Sequence, residues 1–260
     1  LELVRIPAGE FLMGDRAGHR DEQPVTRVKL PAAFWIGRLE VTNEQYARFD
    51  ASHDSRFEHK GSWIFSEGHL GWRLNHPAQP VVRVSQAEAL AFCRWLSQRT
   101  SLNVTLPTEA QWEYACRAGT DTPLSYGDLD ANFSTFANLA DATIRDLAYD
   151  TDGRYTADLT PRDDRFNDGK LVTADAGSYK PNAWGLHDMH GNAWEWTLSA
   201  CRPYPYRPAD GRNAPGSNGR IVVRGGSWRD RPKRCRSAFR LSYPRWRKVF
   251  NVGFRVVVAE

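Results

Sequence analysis

The stretch that decides the fold is VRGGSWRDRPKRCR, residues 223–236. Its two adjacent glycines lack the lysine and the spacing of a phosphate-binding loop, so no nucleotide site of that kind is predicted. Its one thiol, Cys235, is flanked by Lys233, Arg234 and Arg236, cations that would lower the pKa of an accessible thiol and make it nucleophilic. The sequence favours the alternative of a buried, inert thiol, because free cysteines are often buried.

The formal net charge of the 260 residues is only +4, but the charge is unevenly distributed. Residues 202–255 contain thirteen Arg and two Lys against two Asp. A basic segment that also contains aromatic residues can attract nucleic acid or an acidic ligand. The sequence favours a structural role for many of these arginines, which brace irregular loops by binding carbonyls and carboxylates. No nucleic-acid motif is present, so a nucleic-acid partner is not expected.

Composition indicates a globular chain. An apolar fraction of 41%, with ten Trp and twelve Phe, is enough to fill a sizeable core. No run of apolar residues is long enough to span a membrane. The chain begins without Met or a signal-like segment, as expected of a mature form or of a domain taken from a longer protein. We expect one domain over residues 1–260.

Local patterns predict three helices and several short strands. Hydroxyl residues precede Glu or Gln by three positions, as in helix capping boxes, at Thr42–Gln45, Ser85–Glu88 and Thr108–Gln111. The expected helices cover residues 43–51, 85–98 and 109–117. Runs of β-branched and aromatic residues predict strands at Val4–Ile6, Glu10–Met13, Val25–Leu30, Phe34–Thr42, Ile221–Arg224 and Gly253–Val258.

The segment between Tyr126 and Tyr179 is rich in Asp, Asn, Gly and Thr and has little periodicity. A loop of this length without structure is improbable in a compact domain unless something anchors it. A bound ion would be a sufficient anchor. His187 and His190 flank Asp188 and are expected at the surface, with a role in lining a pocket as the alternative.

Four further motifs occur in a fixed order along the chain, at Arg5–Gly14, Leu106–Tyr114, Gly185–Trp196 and Asn251–Arg255. Together with residues 223–236 they resemble the formylglycine-generating enzymes, the sulfatase-modifying factor family. The resemblance covers nearly the whole chain. It implies an α/β (α+β) fold, low in regular secondary structure, with C-type-lectin-like topology.

In that family the R-G-G-S sequence is followed by two cysteines, at the third and eighth positions after the serine, which bind Cu(I). Here the eighth position is Cys235, but the third is Asp230. Cuprous copper prefers sulfur ligands to a hard carboxylate, so Cu(I) is not expected. Ser227 and Cys235 stay candidate catalytic residues only if the oxidase activity survives. Gln86 also departs from the family, which commonly has Trp there.

The resemblance implies two structural calcium sites. Calcium binds about six to eight oxygens from carboxylates and carbonyls. The first site would comprise the side chains of Asp188 and Glu195 and the carbonyls of Gly191 and Ala193. The second would comprise the side chains of Asn138 and Asp168 and the carbonyls of Leu139 and Lys170. The alternative for the first is that Glu195 pairs with an arginine while Asp188 caps a turn.

The C-terminal segment is also similar to the variable proteins of diversity-generating retroelements, which use this fold to display a ligand-binding surface. Aromatic residues and Arg, which are typical of binding hot spots, lie at the intervening positions. The predicted ligand-binding residues are Trp228, Arg229, Asp230, Arg231, Phe239, Tyr243, Trp246 and Arg247. The alternative is an ordinary, invariant loop.

Two functions therefore stay open. The sequence favours a binding or accessory module on a calcium-stabilised scaffold, whose ligand is a peptide, a protein or a small molecule. The alternative is a formylglycine-generating oxidase acting on a sulfatase cysteine, or another oxidative enzyme completed by a partner domain. The positions that form disulfides with the equivalents of Cys93 and Cys116 in some relatives are Arg240 and Val256 here. Reduced thiols at Cys93 and Cys116 favour a cytoplasmic location.

Overall fold

A computed structural model of the chain describes residues 1–58, 72–148, 161–214 and 219–259. Within these ranges the chain is mixed α/β, with short strands and few helices. The strands are β1 Leu3–Ile6, β2 Gly9–Met13, β3 Thr26–Leu30, β4 Phe34–Gly37, β5 Val104–Thr105, β6 Trp194–Ala200, β7 Arg220–Arg224, β8 Leu241–Pro244, β9 Val252–Gly253 and β10 Val257–Ala259. The α-helices are α1 Asn43–Ala47, α2 Gln86–Thr100 and α3 Glu109–Arg117, and 3₁₀ turns occur at Arg20–Glu22, Ala142–Ala148 and Pro232–Arg234.

All three predicted helices are present, and each begins at its capping box. In α2 the Ser85 hydroxyl accepts from the backbone N–H of Glu88, and the Glu88 carboxylate accepts from the N–H of Ser85. Such reciprocal bonds satisfy donors that would otherwise be unpaired at the helix start. Helix α1 is shorter than predicted, and α2 continues to Thr100, where Ser101 adopts a left-handed conformation (φ 59°) and ends it.

The strands form two four-stranded sheets, ordered β1-β4-β10-β5 and β8-β7-β6-β9, and the hairpin β2-β3. The predicted strand at Phe34–Thr42 ends at Gly37, and the one at Gly253–Val258 divides between β9 and β10. Strand β6 was not predicted. Six of its seven residues are buried, so it lacks the alternation of polar and apolar residues by which a half-exposed strand is recognised.

The main core lies between α2 and the sheet that contains β6 and β7. Trp194 and Trp196 of β6 and Phe92 of α2 are almost fully buried in it. Strands β6 and β7 are antiparallel, with Glu195 opposite Arg224. The segment before β6 and the segment after β7 therefore lie at the same end of the sheet, and these segments contain Asp188 and Cys235.

The described parts of residues 126–179 are anchored by apolar packing. Phe133, Ala137 and Leu139 form a buried cluster with Cys235, and Ala140 and Ile144 form another with Trp228. These contacts with residues 228–235 anchor the segment, as the sequence analysis requires. No helix in the described ranges is both long and apolar enough to cross a membrane.

Candidate functional site

The chain turns sharply after β7 at two glycines. Gly225 and Gly226 have φ values of 101° and 81°, a region that residues with a side chain rarely adopt. A Cβ atom on Gly226 would lie only 2.1 Å from the Cys235 sulfur. The glycines therefore allow residues 227–235 to fold back closely over the end of β7.

Asp230 is the centre of this folded-back segment. It is 4% exposed, and its Oδ2 atom accepts from Ser227 Oγ at 2.7 Å and from Trp194 Nε1 at 2.8 Å. Its Oδ1 atom lies 3.0 Å from the Arg234 guanidinium. Asn251 Nδ2 donates to Ser227 Oγ at 2.8 Å. Both carboxylate oxygens are thus engaged by the protein itself, and Asp230 acts as an internal hydrogen-bond acceptor.

Cys235 is fully buried in the apolar cluster that also contains Leu139. Burial, reinforced by the negative charge of Asp230, raises the pKa of the Cys235 thiol well above its ordinary value. The suggestion that neighbouring cations make Cys235 a low-pKa nucleophile is therefore wrong, because Arg234 lowers the pKa by less than burial raises it. The thiol is neutral and shielded from solvent.

His190, expected at the surface, is instead 3% exposed and lies behind Cys235. Its Nδ1 donates to the Cys235 carbonyl (2.7 Å), and its Nε2 accepts from the Ser125 N–H (2.9 Å). The Cys116 sulfur lies 3.5 Å from Nε2. Burial lowers the pKa of His190 to about 4, so the ring is neutral. His187, also expected outside, is 8% exposed.

Asp188 lies where the first calcium site was predicted. Its Oδ2 atom accepts from the Gly177 N–H at 2.7 Å, whereas its buried Oδ1 atom has no hydrogen-bond partner in the described structure. Beside it lies Glu40, which sequence analysis missed. Glu40 is completely buried. Its Oε2 atom accepts from Asn192 Nδ2 at 3.3 Å, and no described N–H or O–H group donates to its Oε1 atom. The carboxyl groups of Glu40 and Asp188 are close enough to share a hydrogen bond when one of them is protonated.

Glu195 forms a buried ion pair instead. Arg255 donates to both of its oxygens over 2.6–2.9 Å, and Trp112 Nε1 donates to Oε2 at 2.7 Å. This pairing with an arginine is the alternative foreseen for Glu195, and both of its oxygens accept hydrogen bonds within the chain. Gly191 and Ala193, which follow Asp188 in the sequence, are both buried. A Cβ atom on Gly191 would lie 2.2 Å from the Asn138 carbonyl oxygen, so the backbones of the two residues are in close contact.

The four residues of the second predicted site lie together. The Asp168 carboxylate accepts from the backbone N–H groups of Leu139 (2.8 Å) and Lys170 (2.9 Å). Burial and the nearby Asp141, another residue that sequence analysis missed, raise the pKa of Asp168 to about 7. Asn138 donates to Asn192 Oδ1. Its own buried Oδ1 atom has no partner in the described ranges.

The donor atoms determine which metals these sites suit. No group of three or more His, Cys, Asp or Glu in the described residues is arranged to hold a metal ion. Oxygens of Glu40, Asp188 and Asn138 do have unused lone pairs, and such oxygens are the ligands that calcium prefers. These oxygens could hold a calcium ion beside Asp188, whereas the oxygens of Glu195 already accept hydrogen bonds from Arg255 and Trp112. The carboxylate and single thiol at positions 230 and 235 do not fit Cu(I).

Burial divides the predicted ligand-binding residues. Trp228, Asp230 and Phe239 are inside the domain, at 0%, 4% and 9% exposure, where they support the loop and are not displayed. Arg229 and Tyr243 are half-buried, and Arg229 pairs with Glu58. The exposed residues are Arg231, Arg247 and Trp246, of which Trp246 is 66% exposed.

This chain is similar to known proteins in domain, sequence and structure. The sulfatase-modifying factor enzyme 1-like domain matches residues 1–260. The formylglycine-generating enzyme of Streptomyces coelicolor is 32% identical, over 97% of this chain and 87% of that enzyme. PvdO from Pseudomonas aeruginosa has a TM-score of 0.76 at 25% identity, covering 99% of this chain and 94% of PvdO.

A fourth similarity concerns the fold alone. Treponema denticola variable protein 1 superposes with a TM-score of 0.73 at 22% identity, over 99% of this chain and 95% of that protein. The expected fold, α/β with few regular elements and C-type-lectin-like topology, is confirmed. Because the domain match spans every residue and a curated relative is similar over nearly the full length, this chain belongs to the formylglycine-generating, or sulfatase-modifying factor, family.

Proposed function

We propose that this chain is a binding or accessory member of its family, built on a calcium-stabilised scaffold, and that it does not oxidise cysteine with copper. The observation that carries the proposal is the state of Asp230. Both of its oxygens are held by Ser227, Trp194 and Arg234. A residue bound in this way has a structural role in the loop, at the position where the family's oxidases have a copper-binding thiolate.

The surroundings of Cys235 support the same proposal. A thiol binds a soft metal as the thiolate, and burial beside Asp230 favours the neutral form of Cys235. Its sulfur lies against Gly226 and the apolar residues of the 133–139 segment. A cuprous ion that must also bind a substrate thiol and oxygen would have to displace this packing.

The exposed basic and aromatic residues support a binding role. Trp246 and Arg247 lie one residue beyond the end of β8, next to each other at the surface. Aromatic and Arg side chains contribute most of the energy in many interfaces. The proposed binding surface comprises Arg229, Arg231, Tyr243, Trp246 and Arg247, supported from inside by Trp228, Asp230 and Phe239. Its ligand is a peptide, a protein or a small molecule.

The test compares the wild-type chain with Asp230→Cys and with the isosteric control Asp230→Asn. We expect wild type and Asp230→Asn to lose Cu(I) to a chromogenic chelator. Asp230→Cys restores the pair of thiols and should bind Cu(I) more tightly, by about 100-fold, because two sulfur ligands suit this ion. Wild type should also form no aldehyde on a C-x-P-x-R peptide, as measured by hydrazide labelling.

Two results would overturn the proposal. One is aldehyde formation by the wild-type chain. The other is tight Cu(I) binding by wild type that Cys235→Ala abolishes. Circular dichroism of each variant shows whether the fold is retained, and Asp230→Asn controls for loss of the carboxylate charge beside Arg234.

A further inference from the structure

A turn after β8 displays an aromatic side chain. The N–H of Arg247 donates to the carbonyl of Pro244 at 2.9 Å and closes this turn. Trp246 lies within it and is 66% exposed, more than any other large apolar side chain in the described residues. An exposed side chain of this size leaves apolar surface in water, which a bound partner would cover.

The turn is fixed to the start of α2. The carbonyl of Arg245 accepts from the N–H of Gln86 at 3.0 Å, and Lys248 Nζ donates to the Glu88 carboxylate at 2.5 Å. Bonds on both sides of Trp246 therefore hold the turn in place before any ligand arrives. A surface that is already ordered loses less conformational entropy when it binds.

Arginines surround the displayed ring. Arg245 and Arg247 flank Trp246 in the sequence, and Arg220 of the neighbouring strand lies opposite Pro244 in the register of β7 and β8. None of these three arginines forms an ion pair with a carboxylate in the described ranges. The turn thus combines exposed apolar surface with positive charge that the chain itself does not neutralise.

The pKa of Tyr243 reports the same concentration of charge. Burial, and then the charge of Asp230, raises this pKa above its ordinary value, whereas Arg234, Arg220 and Arg247 lower it. Of these three guanidiniums, only that of Arg234 has a carboxylate partner among the described residues, Asp230 at 3.0 Å. Cations from the loop after β7, the start of β7 and the turn after β8 therefore act on one half-buried hydroxyl group.

The distribution of charge in the whole chain distinguishes two kinds of acidic partner. Outside residues 202–255 the chain contains 20 basic and 29 acidic residues. A long polyanion such as nucleic acid would extend beyond the basic turn and meet this negative charge. A short acidic segment of polypeptide needs only the turn and its neighbours. Its carboxylates suit guanidinium groups, and its apolar side chains suit an exposed Trp.

We propose that the ligand of this surface is an acidic peptide segment of a partner protein, whose apolar side chain packs on Trp246 and whose carboxylates pair with Arg220, Arg245 and Arg247. This adds Arg220 and Arg245 to the proposed binding surface. The proposal rests on the binding role given under the proposed function and specifies the chemistry of the partner.

The experiment measures fluorescence anisotropy of a labelled Glu-rich peptide that contains Leu, beside the same peptide with Gln in place of each Glu. We expect the Gln peptide to bind wild type about 10-fold more weakly. Arg220→Gln/Arg247→Gln should weaken binding of the Glu peptide about 10-fold, because two unpaired cations are lost. Trp246→Ala should weaken it by about 10-fold or more, because the apolar anchor is removed.

The matched control is Arg27→Gln/Arg48→Gln. It removes the same charge from two exposed arginines outside this surface, whose side chains are 67% and 71% exposed. The control should change the affinity for the Glu peptide by less than about 2-fold, because solvent and salt screen distant charges. Circular dichroism of all variants shows whether the fold is retained, as expected for substitutions at exposed side chains.

Four results would overturn the proposal. The first is equal binding of the Glu and Gln peptides, and if Trp246→Ala weakens both, the binding role remains while the acidic partner is excluded. The second is an equal loss in the two double variants, which would indicate general charge attraction. The third is the absence of any binding of the Glu peptide. The fourth is tighter binding of single-stranded DNA with the same dependence on Trp246. Failure of the proposed function is seen separately, in the copper and aldehyde assays.

Discussion

Two sets of buried carboxylates in this molecule are neutralised in different ways. Glu109 and Glu113 of α3 are both fully buried. Arg224 contacts Glu109 at 2.7 Å and Glu113 at 2.9 Å, and Arg240 binds Glu109 at 2.5 Å. Arg117 adds a bond to Glu113 at 2.8 Å. Three guanidiniums therefore serve two carboxylates, and the charges are compensated within the chain.

In the second set, Glu40, Asp188 and Glu195 share a single guanidinium among the described residues, that of Arg255. The pKa values reflect this difference. Burial alone would raise the pKa of Glu109, but Arg224 and Arg240 hold it below its ordinary value. The pKa of Glu40 is instead raised by burial and by its acidic neighbours. Equal burial thus gives a structural network in one place and a candidate cation site in the other.

The largest effect is expected from unbalancing the first set. Arg224→Met keeps the approximate volume of the side chain but leaves Glu109 and Glu113 with too few donors. Removing one partner of a buried ionic network costs about 3–5 kcal/mol, and urea unfolding measures the loss. Added calcium should not restore it. A loss below about 1 kcal/mol would contradict the idea that compensation in this set comes from Arg224.

The matched control is the double variant Glu113→Gln/Arg224→Met. This double variant removes one carboxylate together with the guanidinium. Arg240 can still pair with Glu109, and Arg117 can still donate to the neutral amide at position 113. It should therefore be more stable than Arg224→Met alone. If the two variants have equal stability, the loss comes from packing and not from charge.

Much of the fold could be predicted because its signals are local. The capping boxes at Thr42, Ser85 and Thr108 each act over three residues and mark the helix starts correctly. The glycine pair at 225–226 is part of the motif that identifies the family. Strand β6 escaped prediction because its burial on both faces removes the local pattern.

The site could be predicted only in part because its contacts are long-range. Asp188 and Asp168 were found by resemblance, but Glu40 lies 152 residues before its hydrogen-bond partner Asn192. His190 binds Ser125, 65 residues earlier. No rule of sequence spacing predicts contacts between such distant residues. Burial is likewise a property of the folded chain, and it places Trp228 inside the domain and Trp246 at the surface.

The smallest effect is expected at the surface, where charge is also unbalanced. Arg247 is exposed, and no carboxylate in the described structure pairs with it. Water and salt screen an exposed charge, so Arg247→Glu should change the free energy of unfolding by less than about 0.5 kcal/mol. Urea unfolding of Arg247→Glu and of Arg224→Met compares the loss of folding free energy at an exposed arginine with the loss at a buried one. A loss of several kcal/mol at Arg247 would mean that charge imbalance alone, and not burial, sets the cost.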